Sequence, residues 1–278
     1  MLAYVEVKSG NSKTKRFTDS PLVFPLCKML NHNGSIYLFN GSDCLMFDQG
    51  IWKHHSVTKD SISAAVSTEI GIFIFHRGAP IALIESSFEY LLNDQRTWKV
   101  GKNAIRGGFR QGSAIFVKSK QEIWLIGGQG TERRILTFNI KSFTFEELPL
   151  KLNIGRTGHQ CQTIPGTNKI MITGGQTFDG VTQCSTEVLD PETMSINIAS
   201  PMNRRRTEHG MSVVTINDEH RLAVFGGYQD DFRDLTCFEL YNTRTQNWEV
   251  TREISFRKGK QGFGYVSVKN ETIHKYLK

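Results

Sequence analysis

The chain lacks the marks of several large protein classes. Of its 278 residues, 7 are proline and 5 are cysteine, and the cysteines are scattered without a CxxC pair (Cys27, Cys44, Cys161, Cys184, Cys237). That usage argues against a disulfide scaffold or a zinc ribbon and for free thiols in a reducing compartment. No apolar run approaches the ~20 residues that a membrane-crossing helix needs. The opening residues Met1 to Glu6 acquire charge too early for a secretory signal, so a cytoplasmic location is expected. On that expectation the sequons at Asn33, Asn40 and Asn270 carry no weight. There is no HExxH, GxSxG or P-loop, and the glycines at 127–130 lack the strand-to-helix setting of a phosphate loop. Histidines are isolated, and His54-His55 has no third ligand at metal-binding spacing. Neither cofactor nor metal is expected. RNA-recognition signatures, zinc fingers and basic helices are also missing. The net charge of +7 is therefore assigned to an acidic protein partner rather than to nucleic acid or membrane.

What is present is a cassette that returns roughly every fifty residues. Apolar runs at 123–126, 169–173 and 222–225 each close on a glycine pair: Gly127-Gly128, Gly174-Gly175 and Gly226-Gly227. Downstream come Phe138-Asn139 with Ser142 and Phe145, Leu189-Asp190 with Thr193 and Ile196, and Tyr241-Asn242 with Thr245 and Trp248. In each set the offsets from the first residue are one, four and seven. Glycine pairs at strand ends permit positive φ and close backbone approach. Asn or Asp followed by Thr or Ser suits a hairpin turn, because these side chains bond nearby backbone. Weaker copies run through residues 36–41 to Phe47-Asp48 and Trp52, and through residues 70–78 to Trp98. A unit of four short strands cannot bury both its faces alone, so neighbouring units must supply the rest of the core.

This cassette resembles the kelch repeat of β-propellers, strongly over 121–265 and more weakly before that. The resemblance implies a single all-β domain over 1–278 with four antiparallel strands per blade. We expect six blades: five internal repeats and one shared blade. In the shared blade, N-terminal outer strands at 2–7 and 13–18 would join C-terminal inner strands at 262–268 and 271–276. Such closure removes exposed sheet edges.

The positive charge gathers in the loops that join one blade to the next. Arg156-Thr157-Gly158-His159 and Arg206-Thr207-Glu208-His209 share Arg-Thr-x-His, while Arg110-Gln111 and Lys260-Gln261 stand in like places. A ring of such cations would focus positive potential into the mouth of the channel, and Arg suits bidentate carboxylate contacts. The other reading is that these arginines bond neighbouring loop carbonyls and that His159 and His209 are packed. The resemblance to Kelch-like substrate adaptors of cullin ubiquitin ligases implies a grip on acidic peptides and picks out Arg110, Arg156 and Arg206. Arg205, Arg77 and Lys260 add charge. Arg134, Phe178 and Tyr228 lie on the loops after the glycine pairs, where exposed aromatic and Arg side chains serve recognition. The expectation is therefore a partner-binding module and not an enzyme. Actin binding and a six-bladed sugar mutarotase are the alternatives within the same resemblance.

Overall fold

In this computed structural model the described residues are 2–6, 13–18, 27–41, 43–48, 51–57, 61–77, 86–103, 105, 107–216, 218–231, 234–255 and 265. They form one two-stranded sheet and five four-stranded antiparallel sheets. Strands β1 (Leu2–Glu6) and β2 (Lys13–Thr18) make the two-stranded sheet. Blade 1 holds β3 (Lys28–His32), β4 (Ser35–Asn40), β5 (Asp43–Asp48) and β6 (Ile51–Val57). Blade 2 holds β7 (Ile62–Ser67), β8 (Gly71–His76), β9 (Phe88–Leu92) and the short β10 (Lys99–Val100). Blade 3 holds β11 (Ser113–Val117), β12 (Glu122–Ile126), β13 (Ile135–Asn139) and β14 (Thr144–Glu147). Blade 4 holds β15 (Gln160–Thr163), β16 (Ile170–Thr173), β17 (Thr186–Asp190) and β18 (Ser195–Ala199). Blade 5 holds β19 (Gly210–Ile216), β20 (Glu219–Phe225), β21 (Cys237–Asn242) and β22 (Asn247–Ser255). First strands approach one another in chain order, β3 to β7, β7 to β11, β11 to β15 and β15 to β19, so the blades are arrayed around an axis as in a β-propeller.

The count of blades among the described residues differs from the expected six: five four-stranded blades and one two-stranded sheet. Among the described residues the strands of the N-terminal hairpin pair with each other alone. Of its expected partners at 262–268 and 271–276, only Tyr265 falls within the described residues. Tyr265 sits edge-on to Phe225 with ring centroids 5.5 Å apart, and its hydroxyl donates to Gln160 Oε1 at 2.6 Å.

The cassette is explained by strand register. Its first and last positions face each other across the third and fourth strands: Phe47 with Trp52, Phe138 with Phe145, Leu189 with Ile196, Tyr241 with Trp248. Ring centroids of the aromatic pairs lie 4.8 to 5.2 Å apart. The turn between them is held from the second position. Asn139 Oδ1 accepts from the Lys141 and Ser142 amides, and Asp190 and Asn242 repeat this in blades 4 and 5. Blade 2 departs from the rule, because Tyr90 faces Lys99 and Trp98 packs against Phe39 of blade 1.

The glycine pairs are joints between blades. The Gly128 amide donates to the Arg156 carbonyl at 2.9 Å, and Gly175 does the same to Arg206 at 2.8 Å. Each joint brings the end of one blade's second strand onto the loop that leads into the next blade. A Cβ at Gly175 would come within 2.6 Å of the Thr157 carbonyl, and its φ is +88°, so no other residue fits.

Candidate functional site

In blades 3, 4 and 5 the loop leading into the blade bridges to the loop after its second strand. Arg110 pairs with Gln129, Thr157 with Gln176, and Thr207 with Tyr228. Both loop sets therefore gather at one end of the sheets, at the mouth of the propeller axis. Within the leading loops one residue per blade takes a left-handed conformation: Gln111 (φ 54), Gly158 (φ 65) and Glu208 (φ 50). These residues chain together, with the Gly158 amide donating to the Gln111 carbonyl and the Glu208 amide to the Gly158 carbonyl. Left-handed backbone at two non-glycine positions stores strain that the surroundings must hold in place.

This register corrects the sequence alignment by one residue. Arg110 matches Thr157 and Thr207, and the residue in the place of Arg156 and Arg206 is Phe109. The difference decides where the charges lie. Arg156 and Arg206 are 0% exposed, so neither lines the partner surface assigned to it. Arg156 donates from Nε and Nη2 to Glu187 Oε1 and from Nη1 to the Gly174 and Ser185 carbonyls. Arg206 treats Glu239, Gly226 and Cys237 in the same way. The second carboxylate oxygens accept from the Asn153 and Asn203 amides, which fixes the loops leading into blades 4 and 5. Burial pulls the Arg156 pKa down, and Glu187 opposes the shift. The arginines are structural latches that satisfy carbonyls at the glycine joints.

The other expected residues are dispersed. Arg110 is half-buried beside Arg77, with Nε unpartnered among the described residues. Arg205 is exposed and 3.5 Å from Asp230. Arg134 pairs with Glu147 at 2.7 Å. Tyr228 is half-buried, and burial, then Glu208, raises its pKa. Phe178 is 91% exposed. Lys260 lies outside the described residues.

Two concavities result. The first is at the axis, a cavity of about 40 Å³ lined by Lys28, Ser63, Arg77, Gln111, Glu208 and His209, with His159, Gln160 and Tyr265 among their neighbours. Every described blade contributes to it. Gln111 Nε2 donates to Glu208 Oε1 at 2.8 Å, and desolvation raises the Glu208 pKa. Burial, then Arg156, holds His159 down to about 3. His209 is held well below its ordinary value by burial and then Arg206. Sequence reasoning missed Lys28, Ser63, Gln111 and Glu208. The signal for Glu208 was the variable third position of Arg-Thr-x-His, which is the left-handed residue that faces the axis.

The second is a groove of about 550 Å³ between blades 3 and 4, lined by Gly130, Glu132, Arg133, Arg134, Phe178 and Asp179 among others. Phe178 stands at the tip of a braced turn. The Thr177 amide donates to the Val181 carbonyl, the Gly180 amide to the Thr177 carbonyl, and the Thr182 amide to Asp230 of the next blade at 2.6 Å. Among the described residues no group of three or more His, Cys, Asp or Glu side chains is placed to hold a metal ion. No described helix is long and apolar enough to cross a membrane.

No family model matches the chain. No curated protein matches it either. Among solved structures it is similar to a propeller described as "Structure of YjhT", at 11% identity, over 91% of this chain and 90% of that one, with a TM-score of 0.72. At that identity the likeness is one of fold: the chain is an all-β propeller built of four-stranded antiparallel blades.

Proposed function

We propose that the chain is a kelch-type propeller that binds a protein partner through the loops at the mouth of its axis. The carrying observation is Phe178, 91% exposed on a turn braced from both sides. A large apolar side chain held rigidly in water is unfavourable for a free monomer and suits an anchor that a partner covers. Beside it the groove carries the guanidinium of Arg133, whose Nε donates to the Leu152 carbonyl, and the net charge of +7 favours an acidic segment. Service as the recognition domain of a cytoplasmic cullin-ligase adaptor, or as an actin-binding protein, extends the same reading to particular partners.

A sugar mutarotase is the competing reading. It is favoured by the meeting of Glu208, His159, His209 and Arg77 at the axis. Small-molecule sites usually span roughly 300–1,000 Å³, and the axial cavity holds about 40 Å³. The balance favours binding. Peptide display on the immobilised protein is the test. Enriched peptides should carry Asp or Glu beside an apolar residue, and Phe178→Ser or Arg133→Ser should weaken them at least tenfold with an unchanged melting temperature. Equal affinity for wild type and both variants counts against the groove.

A further inference from the structure

The axial cavity has unpaired positive charge and donors with nothing to bond, and neither feature is used by the groove. Lys28 and Arg77 both line it, and among the described residues neither side chain has a carboxylate within salt-bridge distance. One carboxylate lines it, Glu208, and that group is engaged by Gln111. The two histidines are neutral at pH 7, because burial lowers the pKa of each. The lining therefore carries two cations against one anion, in a setting where each charge is costly to hold. Desolvation, then Arg77, lowers the pKa of Lys28, and desolvation, then Arg110, lowers that of Arg77. Both residues are half-buried, and Glu208 offsets each shift only in part, so the excess of positive charge is unfavourable.

The donors point the same way. Ser63 is 2% exposed and its hydroxyl has no partner among the described residues. Arg77 Nε is likewise unpartnered among the described residues. His209 adds no donor: the Thr173 hydroxyl donates to Met211 Sδ and accepts from His209 Nε2 at 2.9 Å, which leaves Nδ1 as an acceptor. Buried donors in folded proteins are nearly always satisfied, so a cluster of orphans around one cavity marks a place for an acceptor.

Size and charge narrow the acceptor. At roughly 10–15 Å³ for one water-sized group, a cavity of about 40 Å³ admits three or so heavy atoms, too few for a sugar or nucleotide. The excess of one positive charge matches a monoanion. A planar pair of oxygens matches the guanidinium fork of Arg77 and leaves room for the Ser63 donor.

We propose that the axial cavity is a binding site for a carboxylate, seated between Lys28 and Arg77 and capped by the Ser63 hydroxyl. The carboxylate could belong to a small free acid or to an Asp or Glu side chain of a partner; the chemistry of recognition is shared. The site stands independently of the Phe178 groove, which lies between blades 3 and 4 at the rim.

The test follows melting temperature against sodium acetate at constant ionic strength, balanced with sodium fluoride. Parallel arms use sodium chloride, inorganic phosphate and the blocked peptide acetyl-Gly-Glu-Gly-amide. A saturable rise of several degrees with acetate is expected, with half-saturation weakened at least tenfold in Arg77→Gln and in Lys28→Met. The surface variant Arg244→Gln should respond as wild type does. Lys28→Met removes an uncompensated charge and should melt above wild type without acetate. Equilibrium dialysis of labelled acetate against wild type gives a readout independent of any variant's folding. A peptide response equal to that of acetate assigns the carboxylate to a side chain; a response to acetate alone assigns it to a free acid. The proposal is overturned if acetate neither saturates nor dialyses to a bound fraction. It is also overturned if both variants keep wild-type half-saturation, or if only chloride or phosphate shifts the melt.

Discussion

Blades 3 and 5 meet the same packing demand with opposite chemistry. In blade 5 the loop leading into the first strand buries Arg206 on Glu239 of its own third strand, both side chains 0% exposed. In blade 3 the equivalent places are held by Phe109 and Leu136, members of one apolar cluster. The strand positions correspond: Glu239 faces Val224 and Leu136 faces Leu125, each two residues before the glycine pair. Blade 4 follows blade 5 with Arg156 and Glu187; in blade 2 the matching carboxylate, Glu89, is met instead by His76 of the second strand at 3.1 Å. Across blades 3 to 5 one joint has been filled by two ionic pairs and an apolar pair. A buried ion pair and a well-packed apolar pair of similar volume can be of comparable worth, whereas half of an ion pair is costly. The repeat therefore constrains both partners together rather than either residue alone.

The largest expected effect comes from splitting an ionic pair. Glu239→Leu strands the Arg206 guanidinium in the core and should cost about 3–5 kcal/mol, read from urea or thermal unfolding; a loss near zero would remove the distinction between the blades. In blade 3 the matching change is Leu136→Ala, a cavity rather than a stranded charge, with an expected loss of about 2–5 kcal/mol and little dependence on pH or salt.

A third prediction separates the blades by pH. His159 of blade 4 has its pKa lowered to about 3, and blade 3 carries Gly112 in that place. The unfolded chain binds a proton near the ordinary histidine value of about 6.5 that the folded chain refuses until near 3, so stability falls as pH drops through that window. His209 acts in the same direction. His159→Gln should flatten the slope of melting temperature between pH 6.5 and 4; an unchanged slope would mean that the ring takes up its proton in the fold. The smallest effect belongs to Arg205, whose guanidinium is 55% exposed and 3.5 Å from Asp230. Arg205→Ala should change stability by no more than about 0.5 kcal/mol, in contrast to its buried neighbour Arg206.

The sequence disclosed the repeat because glycine pairs, turn residues and the aromatic seven positions later are local, and local signals survive without coordinates. Tyr241 and Trp248 face each other across one hairpin, and Asn242 closes the turn between them. Register between distant elements was not legible. Arg110 looked equivalent to Arg156 because both are arginines two residues before a glycine, yet the left-handed Gln111 sets Arg110 one place later in its loop. The partners of the buried arginines lie 31 and 33 residues away. Glu187 and Glu239 each stand two residues before the cassette's first position, a signal visible in the sequence once the arginines are known to be buried. The axial cavity was hidden more deeply, since Lys28, Ser63 with Arg77, and Glu208 come from three different repeats and share no motif. The six-blade expectation joined the terminal strands because each pair lacked a sequence neighbour; among the described residues there are five blades, and the N-terminal pair forms its own two-stranded sheet.

The most direct measurement is a double-mutant cycle in blade 5 on Arg206→Phe and Glu239→Leu, which installs the pair found in blade 3. Each single change should lose about 3–5 kcal/mol, and the double should recover at least about 2 kcal/mol of the summed loss as coupling. Additive losses, with the double variant as unstable as the two singles together, would contradict the view that the propeller joint accepts either an ion pair or an apolar pair but never half of one.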